Sequence, residues 1–484
     1  MPSGVPPGPR DWTFGFSELR KMQRDILAYW TDLHRRYGDV VYIRIGPYRS
    51  YTFFHPDAIR ETIVAKAKQF RRFPKPMQVL AQWNGNSLII TEGEEWLRQR
   101  RMVQPAFHPK RFDRYAACMV DRTRNLLDRW LTRIKDETSI EVEIDRAMTD
   151  LTLDIICKTM FDAQIDAATS DVGRAVAILS EVSVKEMKSL CSFPDWLPLP
   201  GKRRKRWAMQ RLDETVRRFI RERRASGEDR GDLLSMLLLA VDEEGNGGQL
   251  ADEQVRDQSM TLLIAGHDTT AAGLTWTLYC LARYPRIAAH VQQELDAVLA
   301  GRTPVAGDLP QLSLTERVVK ETLRLYPPGV GLLVRQALTD VEVGGYAVPR
   351  HGLVQIYPYV CHHDPRWFPE PHTFDPDRFL PERQQKLPPF AYFPFGGGPR
   401  VCIGNTFAMM EMTLVVATLL QSLDVEPAIG QGEAEPVPRM SLRPKEGVRL
   451  RWTGRPTAHF APARKGLSRM QETCPPGSQG GDPR

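Results

Sequence analysis

The sequence predicts a mainly α protein with a small β subdomain near its N-terminus. Three observations carry that expectation. Apolar residues recur at helical spacing over 115–134, 145–161, 172–190 and 207–224, so this stretch reads as a run of amphipathic helices. Residues 261–282 are mostly apolar over a long span, which marks a buried helix. Residues 40–45 and 51–54 are rich in β-branched and aromatic side chains and flank Gly46-Pro47, the pattern of a hairpin.

In chain order, residues 1–16 form a flexible, proline-rich N-terminus. Residues 17–455 form a single domain, and 456–484 are a polar, Pro/Gly-rich tail expected to be disordered. Residues 17–37 carry apolar side chains at helical spacing and form one helix that Gly38 stops. After the hairpin, His55-Pro56 opens a short helix to about Phe70. Residues 71–91 contain Pro74, Pro76 and Gly85, fit no single period and read as a packed surface loop. A helix starts near Thr91-Glu92. Trp96 and Arg100 share one face of it, and an indole N–H and a guanidinium so placed can bond one carboxylate.

Further on, Lys202–Arg206 is a run of five basic residues, usually a solvated loop or helix start, with a membrane-surface role as the sharper alternative. Residues 315–325 form a helix stopped by Tyr326-Pro327-Pro328. Residues 341–348 and 353–357 are strands, and an apolar helical run follows residue 404.

The chain has 484 residues, 42% hydrophobic and 26% charged, with a mean hydropathy of −0.38. That is enough to bury a large core and enclose a cofactor. The net charge of +7 is mild for this length. It fits a basic patch for an acidic protein partner and not nucleic acid, since no zinc-finger or stacked-aromatic pattern accompanies it. Seven cysteines (Cys118, Cys157, Cys191, Cys280, Cys361, Cys402 and Cys474) are spread without any C-x-x-C pair. This usage points to a reducing compartment, the cytoplasm. The N-terminal stretch holds no 18-residue apolar run, so no transmembrane anchor is expected.

The chemistry centres on Phe395-Gly396-Gly397-Gly398-Pro399-Arg400-Val401-Cys402-Ile403-Gly404. The glycines remove Cβ atoms, so the backbone can bend tightly and approach a flat cofactor. A cysteine held in such a loop can act as a thiolate ligand, with backbone N–H groups turned toward the sulfur. Without its loop, any one of the seven cysteines would be read as a buried structural residue. Arg400 adds a fixed positive charge that could hold an acidic group of the same cofactor.

The spacing F-x-x-G-x-R-x-C-x-G is complete, and in it the sequence resembles the cytochrome P450 superfamily of haem-thiolate monooxygenases, in its soluble bacterial-type form. The resemblance spans residues 30–453 and includes four motifs in the family's order. It implies the haem-thiolate fold, haem b (iron protoporphyrin IX) as cofactor, and Cys402 as the metal ligand. Phe395, Arg400 and Gly404 would be cofactor contacts from the same loop.

The second motif is Ala265-Gly266-His267-Asp268-Thr269-Thr270. A glycine here weakens a helix by about 1 kcal/mol relative to alanine. The threonines can bond backbone carbonyls and bend it. Local rules are broken in this way at functional sites. The string resembles the family's A-G-x-D/E-T-T oxygen-binding motif. That implies cofactor contacts at Ala265 and Gly266 and catalytic roles for Asp268 and Thr269, with Asp268 relaying protons from solvent. His267 is expected to pack away from the site.

Glu321-Thr322-Leu323-Arg324 matches the family's E-x-x-R, with Arg378 of Pro376-Asp377-Arg378-Phe379 as its third member, a structural network that holds the cysteine loop. Trp96, Arg100 and Arg335 resemble residues that hold the cofactor's propionates. Nearby Arg98, Arg101, Lys110, Arg111 and Arg114 form a basic cluster, on the side of the haem where the family docks its electron donor. The substrate pocket would draw on Phe73, Leu80, Leu88 and Leu263 and, from later segments, Val330, Leu332, Leu333 and Leu442.

The function so implied is activation of O2, the co-substrate, with two externally supplied electrons. The product is a hydroxylated or epoxidised hydrophobic small molecule such as a terpenoid, fatty acid or other lipid-like compound. At this length no flavin reductase is fused, so a separate ferredoxin or flavodoxin with its reductase is expected as partner to a monomer. Two other readings are a peroxide-dependent haem-thiolate enzyme and a non-catalytic haem-thiolate sensor. The intact Asp268–Thr269 pair argues against both, because neither needs a proton relay.

Overall fold

The computed structural model describes residues 4–163, 170–189, 197, 199–241, 248–332 and 334–455. The tail expected over 456–484 and the pocket candidate Leu333 lie outside the described residues. The fold is mainly α. Its axis is the 32-residue helix Asp252–Arg283, of which all but a few residues from Val255 onward are buried. Such a sequence is apolar on every face, so it becomes the centre around which other helices pack. Ile144–Phe161, Pro200–Ser226, Ser313–Leu325 and Asn405–Leu420 lie against it. Their apolar faces join one large core that includes Trp276, Leu274, Leu323, Leu414 and Ile155.

The β subdomain is a five-stranded sheet in the order Val40–Ile45, Tyr48–Phe53, Leu353–Gln355, Arg335–Ala337, Phe70–Arg72. Tyr48–Phe53 and Leu353–Gln355 are parallel, and the other neighbours are antiparallel. The register places Arg72 directly opposite Arg335. Two like charges facing each other across a strand pair are destabilising unless something neutralises them.

Several local expectations are corrected. Residues 17–37 form two helices, Phe16–Arg24 and Ile26–Tyr37. Asp25 between them is extended (φ −154°, ψ 100°), and its carboxylate accepts from the Ala28 N–H at 2.9 Å. A short acidic side chain that caps a new helix competes well with continuing the old one. The helix opened by Pro56 ends at Arg60 and passes through a π-turn and a 3-10 turn into the strand Phe70–Arg72. Residues 71–91 are not a loop throughout, because Pro74–Asn84 is helical and buries Met77, Val79, Leu80 and Trp83. Pro74 is tolerated there since a first-turn residue has no intrahelical N–H bond to lose. Residues 341–348 form a small hairpin, Val341–Val343 and Tyr346–Val348, around Gly344 and Gly345, both at positive φ.

The basic run 202–206 lies in the first turns of the helix Pro200–Ser226. Lys202 and Lys205 bond Glu186 at 2.5 and 2.9 Å, and Arg204 bonds Glu181 at 3.2 Å. Lys205 is 1% exposed, so part of the run is spent inside the protein and not on a membrane surface. Among the described residues no helix is long and apolar enough to cross a membrane. Five cysteines are described, and all are free thiols.

Candidate active site

The cysteine loop is closed by the Cys402 N–H donating to the Phe395 carbonyl at 3.0 Å. Gly396 and Gly398 hold φ of 71° and 66°. A Cβ on Gly398 would sit 2.0 Å from the Ile63 carbonyl oxygen, so only glycine fits that crossing. Burial pushes the Cys402 thiol up, while the Gly404 N–H and the Arg100 charge pull it down. The residue counts as exposed only because it faces an internal slot.

That slot consists of two cavities of about 380 and 260 Å³ that share Ile89, Leu262, Ala265, Leu332, Phe395 and Cys402 as walls. On one side lies the cysteine loop with Phe395, Ile403, Gly404 and Phe407. On the other lies the central helix, which presents Ala265, Gly266, Thr269 and Thr270. Gly266 lets Ile156 come close, since a Cβ there would lie 2.6 Å from its side chain. Thr269 donates to the Ala265 carbonyl at 2.8 Å, one turn back. His267 is 1% exposed, with its Nδ1 2.9 Å from the Leu263 carbonyl.

One rim of the slot is strongly basic. Arg72, Arg100, Arg335 and Arg400 line it together with Trp96. The Arg400 guanidinium lies over the Trp96 ring at 4.2 Å, and Arg100 donates to the Val401 carbonyl at 3.0 Å. The Arg100 bond ties the helix Gly93–Val103 to the cysteine loop. Arg400 also pairs with Glu92 at 2.5 Å. Burial, then the charges of Arg400 and Arg335, pull Arg72 down to about 9. Burial likewise pulls Arg400 down to about 10, against the help of Glu92. Arg72 Nε and Arg400 Nη1 are buried without a hydrogen-bond partner. Crowded, under-bonded cations beside a flat apolar slot with a cysteine on one wall fit a planar, metal-holding group with acidic substituents at one edge. The residues therefore suit haem.

Behind the loop, Glu321 and Arg324 are both fully buried and form a two-pronged pair at 2.7 and 2.8 Å. Arg324 also donates to the carbonyls of His362, Pro371 and Thr373, and the Asp375 N–H donates to Glu321 at 3.0 Å. Arg378 stands 3.4 Å from Glu321. Burial pushes the Glu321 carboxyl up, and Arg324, Asp375 and Arg378 pull it back. These bonds fasten the segment 362–378 to the helix Ser313–Leu325.

Pocket candidates divide. Leu88 and Leu332 line the slot. Leu80, Leu263 and Leu442 are core residues with 4%, 0% and 0% exposure. For Leu263 the helical phase explains the shift: Leu262, one residue earlier, takes the cavity-facing position. Phe73 precedes the helix Pro74–Asn84 and meets Tyr48 edge-on at 5.3 Å, and Val330 is partly buried beside Tyr359. Of the basic cluster, Arg98, Arg111 and Arg114 donate to carbonyls of Gln249, Gly231 and Arg230.

Sequence reasoning missed Arg72, Glu92 and Arg443. The signal for Arg72 was the strand itself, because alternation sends Arg71 and Arg72 to opposite faces and only one can meet the slot. Arg71 instead bonds Gln336 at 2.8 and 3.0 Å. Arg443 is 5% exposed and donates to Asp268 at 2.8 Å and to Asp145 at 2.5 Å. Partial burial pushes the Asp268 carboxyl up, but Arg443, His267 and Ser441 bring it below the usual carboxylate range.

Comparison with known proteins agrees with this geometry. The family described as Cytochrome P450 matches residues 6–452. "Cyclooctat-9-en-7-ol 5-monooxygenase" of Streptomyces melanosporofaciens is 37% identical over 398 residues, 81% of this chain and 84% of that protein. "Cyclooctatin synthase" of the same organism is 36% identical, covering 86% and 87%. "Cytochrome P450 4F3" of Rattus norvegicus is 32% identical, covering 92% and 88%.

Proposed function

The chain belongs to the cytochrome P450 family and is a haem-thiolate monooxygenase of hydrophobic molecules, and from that premise we propose that its own substrate is a cyclic terpenoid. Haem b is its cofactor and O2 its co-substrate. We further propose a ferredoxin or flavodoxin as electron donor, and a monomer working in the cytoplasm.

The observation that carries the substrate proposal is the slot's wall. Ile89, Phe107, Ile156, Met160, Leu262 and Leu332 face the space beside Ala265 and Thr269. Such a wall binds a carbon skeleton by excluding water and offers little to hold a carboxylate. The two Streptomyces relatives, one of whose names specifies an alkenol substrate, point the same way.

Bound haem supplies activation of O2 and insertion of one oxygen atom into a C–H bond. The chain does the rest. Cys402 would ligate the metal as a thiolate, with the Gly404 N–H and Arg100 offsetting the cost of a buried negative charge. Arg72, Arg100, Arg335 and Arg400, with Trp96, would hold the acidic edge. Ala265 and Gly266, with a small side chain and none, would let the helix pass close over the cofactor face. Thr269 and Asp268 would move protons inward, because reducing one oxygen atom to water consumes two of them. Asp268→Asn is expected to lower coupled turnover about a hundredfold, within the usual range for a positioned acid. The ratio of product to peroxide per NADPH consumed checks it.

Arg72→Ala should speed haem loss about tenfold, the size of losing one partly buried ion pair. Transfer of haem to an excess of an apo-haem acceptor measures this without any turnover. The substrate proposal is tested by offering the holoenzyme cyclic terpenoids and fatty acids, with a plant-type ferredoxin and its NADPH reductase. A spin-state shift and labelled oxygen from O2 in terpenoid products are expected. Selective oxidation of fatty acids would overturn it.

A further inference from the structure

Arg443 is an unusual residue to find beside the central helix. It lies in the strand Leu442–Pro444, is 5% exposed, and spends every donor it has. Nη2 donates to the carbonyl and the Oδ1 of Asp268, both at 2.8 Å. Nη1 donates to Asp145 Oδ1 at 2.5 Å and to Thr149 Oγ1 at 3.2 Å. Nε donates to Ser441 Oγ at 3.1 Å. A guanidinium has five donors in a fixed fork, and all five are engaged.

Asp268 is less well held. Arg443 bonds only Oδ1, the Ser441 hydroxyl adds a weaker interaction with the carboxylate, and Oδ2 is buried without a hydrogen-bond partner. Asp145 differs from both. It sits in the first turn of the helix Ile144–Phe161, where the helix dipole favours a negative charge, and its side chain is 23% exposed. The three residues form a chain of charges from the protein surface to the central helix.

We propose that Arg443 is a positioning residue for proton delivery, holding the Asp268 carboxylate in place and releasing it because Asp145 remains as a second counter-ion. This rests on the reading of Asp268 and Thr269 as the proton relay. When the Asp268 side chain turns toward Thr269, Arg443 loses one bond and keeps four. Its charge stays neutralised by Asp145, so release does not strand a buried cation. Without Asp145, Asp268 would be its sole counter-ion and would be held fast. The consequence is directional. Removing Asp145, which touches neither haem nor substrate in this arrangement, slows proton delivery, whereas removing Arg443 frees Asp268 and leaves burial to protonate it.

The test uses the holoenzyme with a plant-type ferredoxin, its NADPH reductase and O2, and no added substrate. Reduction of O2 to peroxide takes two electrons and two protons, and reduction to two waters takes four of each. The NADPH:O2 ratio therefore reports how often the O–O bond is cleaved. Asp145→Asn should cut the water-forming fraction about tenfold, less than the roughly hundredfold or more that losing the positioned acid itself costs, and raise the solvent isotope effect. Arg443→Gln should show an infrared carbonyl band of a protonated carboxylic acid that vanishes in the Arg443→Gln/Asp268→Asn double variant. Arg443→Lys, which keeps the charge, should lack it.

If Asp145→Asn lowers the melting temperature alone, with ratio and isotope effect at wild-type values, Arg443 and Asp145 are structural and the inference fails. It fails equally if Arg443→Gln shows no acid band. Wild-type ratio and isotope effect in Asp268→Asn would instead defeat the relay reading, and the inference with it.

Discussion

Replacing Cys402 with histidine is expected to remove the strongly red-shifted Soret band of the reduced, carbon monoxide-bound protein and to reduce monooxygenase turnover to background. The sulfur is the one soft, ionisable atom on the cysteine-loop wall of the slot, and the loop is shaped around it. A thiolate pushes electron density toward the metal and so favours O–O cleavage, which a neutral imidazole does less. The variant should still fold, because the Cys402 side chain faces the slot and is not packed in the core. Haem binding should persist in part, held by the four rim arginines. The reduced-CO spectrum of the two proteins decides the matter. An unchanged band in the variant would place the ligand elsewhere and sink every assignment made by reference to Cys402.

The second large effect is expected at Glu321. Glu321→Ala leaves the fully buried Arg324 without its counter-charge, although its bonds to three carbonyls remain. Breaking a buried pair from one side costs about 3–5 kcal/mol, most of it the stranded charge. That is a large share of the ordinary 5–15 kcal/mol stability of a folded protein. The loss should appear first as low haem content, because Arg324 ties the carbonyls of His362, Pro371 and Thr373 to the helix Ser313–Leu325, and the Phe393 N–H, two residues before Phe395 of the slot wall, donates to His362 Nε2 at 3.0 Å. Glu321→Gln should cost less than Glu321→Ala, since an amide oxygen can still accept from Arg324. Chemical unfolding midpoints of the three proteins, with haem content by absorbance, measure the order. Equal stability of the alanine variant and wild type would show that the network contributes nothing to the fold.

Much of this protein was legible from its residues in order. The complete cysteine-loop spacing was enough to place the family and to single out Cys402 as the expected metal ligand. The A-G-H-D-T-T string broke helix propensity inside a long apolar segment, which is a local conflict visible without coordinates. The long helices were readable because periodic apolar spacing is a short-range signal. The break at Asp25 was harder to read, because a capping aspartate and a mid-helix aspartate look alike until the backbone angle is known.

What the sequence by itself determined, then, was the family and the chemistry to expect from it, carried by a cysteine loop, a long apolar helix holding A-G-H-D-T-T and a Glu–Arg pair. Only the tertiary structure decided which charges meet. Arg72 faces Arg335 because two strands more than 260 residues apart pair in one register. Arg443 reaches Asp268 and Asp145 because a late strand crosses the central helix near the start of another. The pocket wall depends on helical phase to a single residue, which puts Leu262 in the slot and Leu263 in the core. The physical reason is the same in each case. A motif records spacing along the chain, whereas electrostatic pairing and burial depend on distances across it, and those are set only when the elements pack.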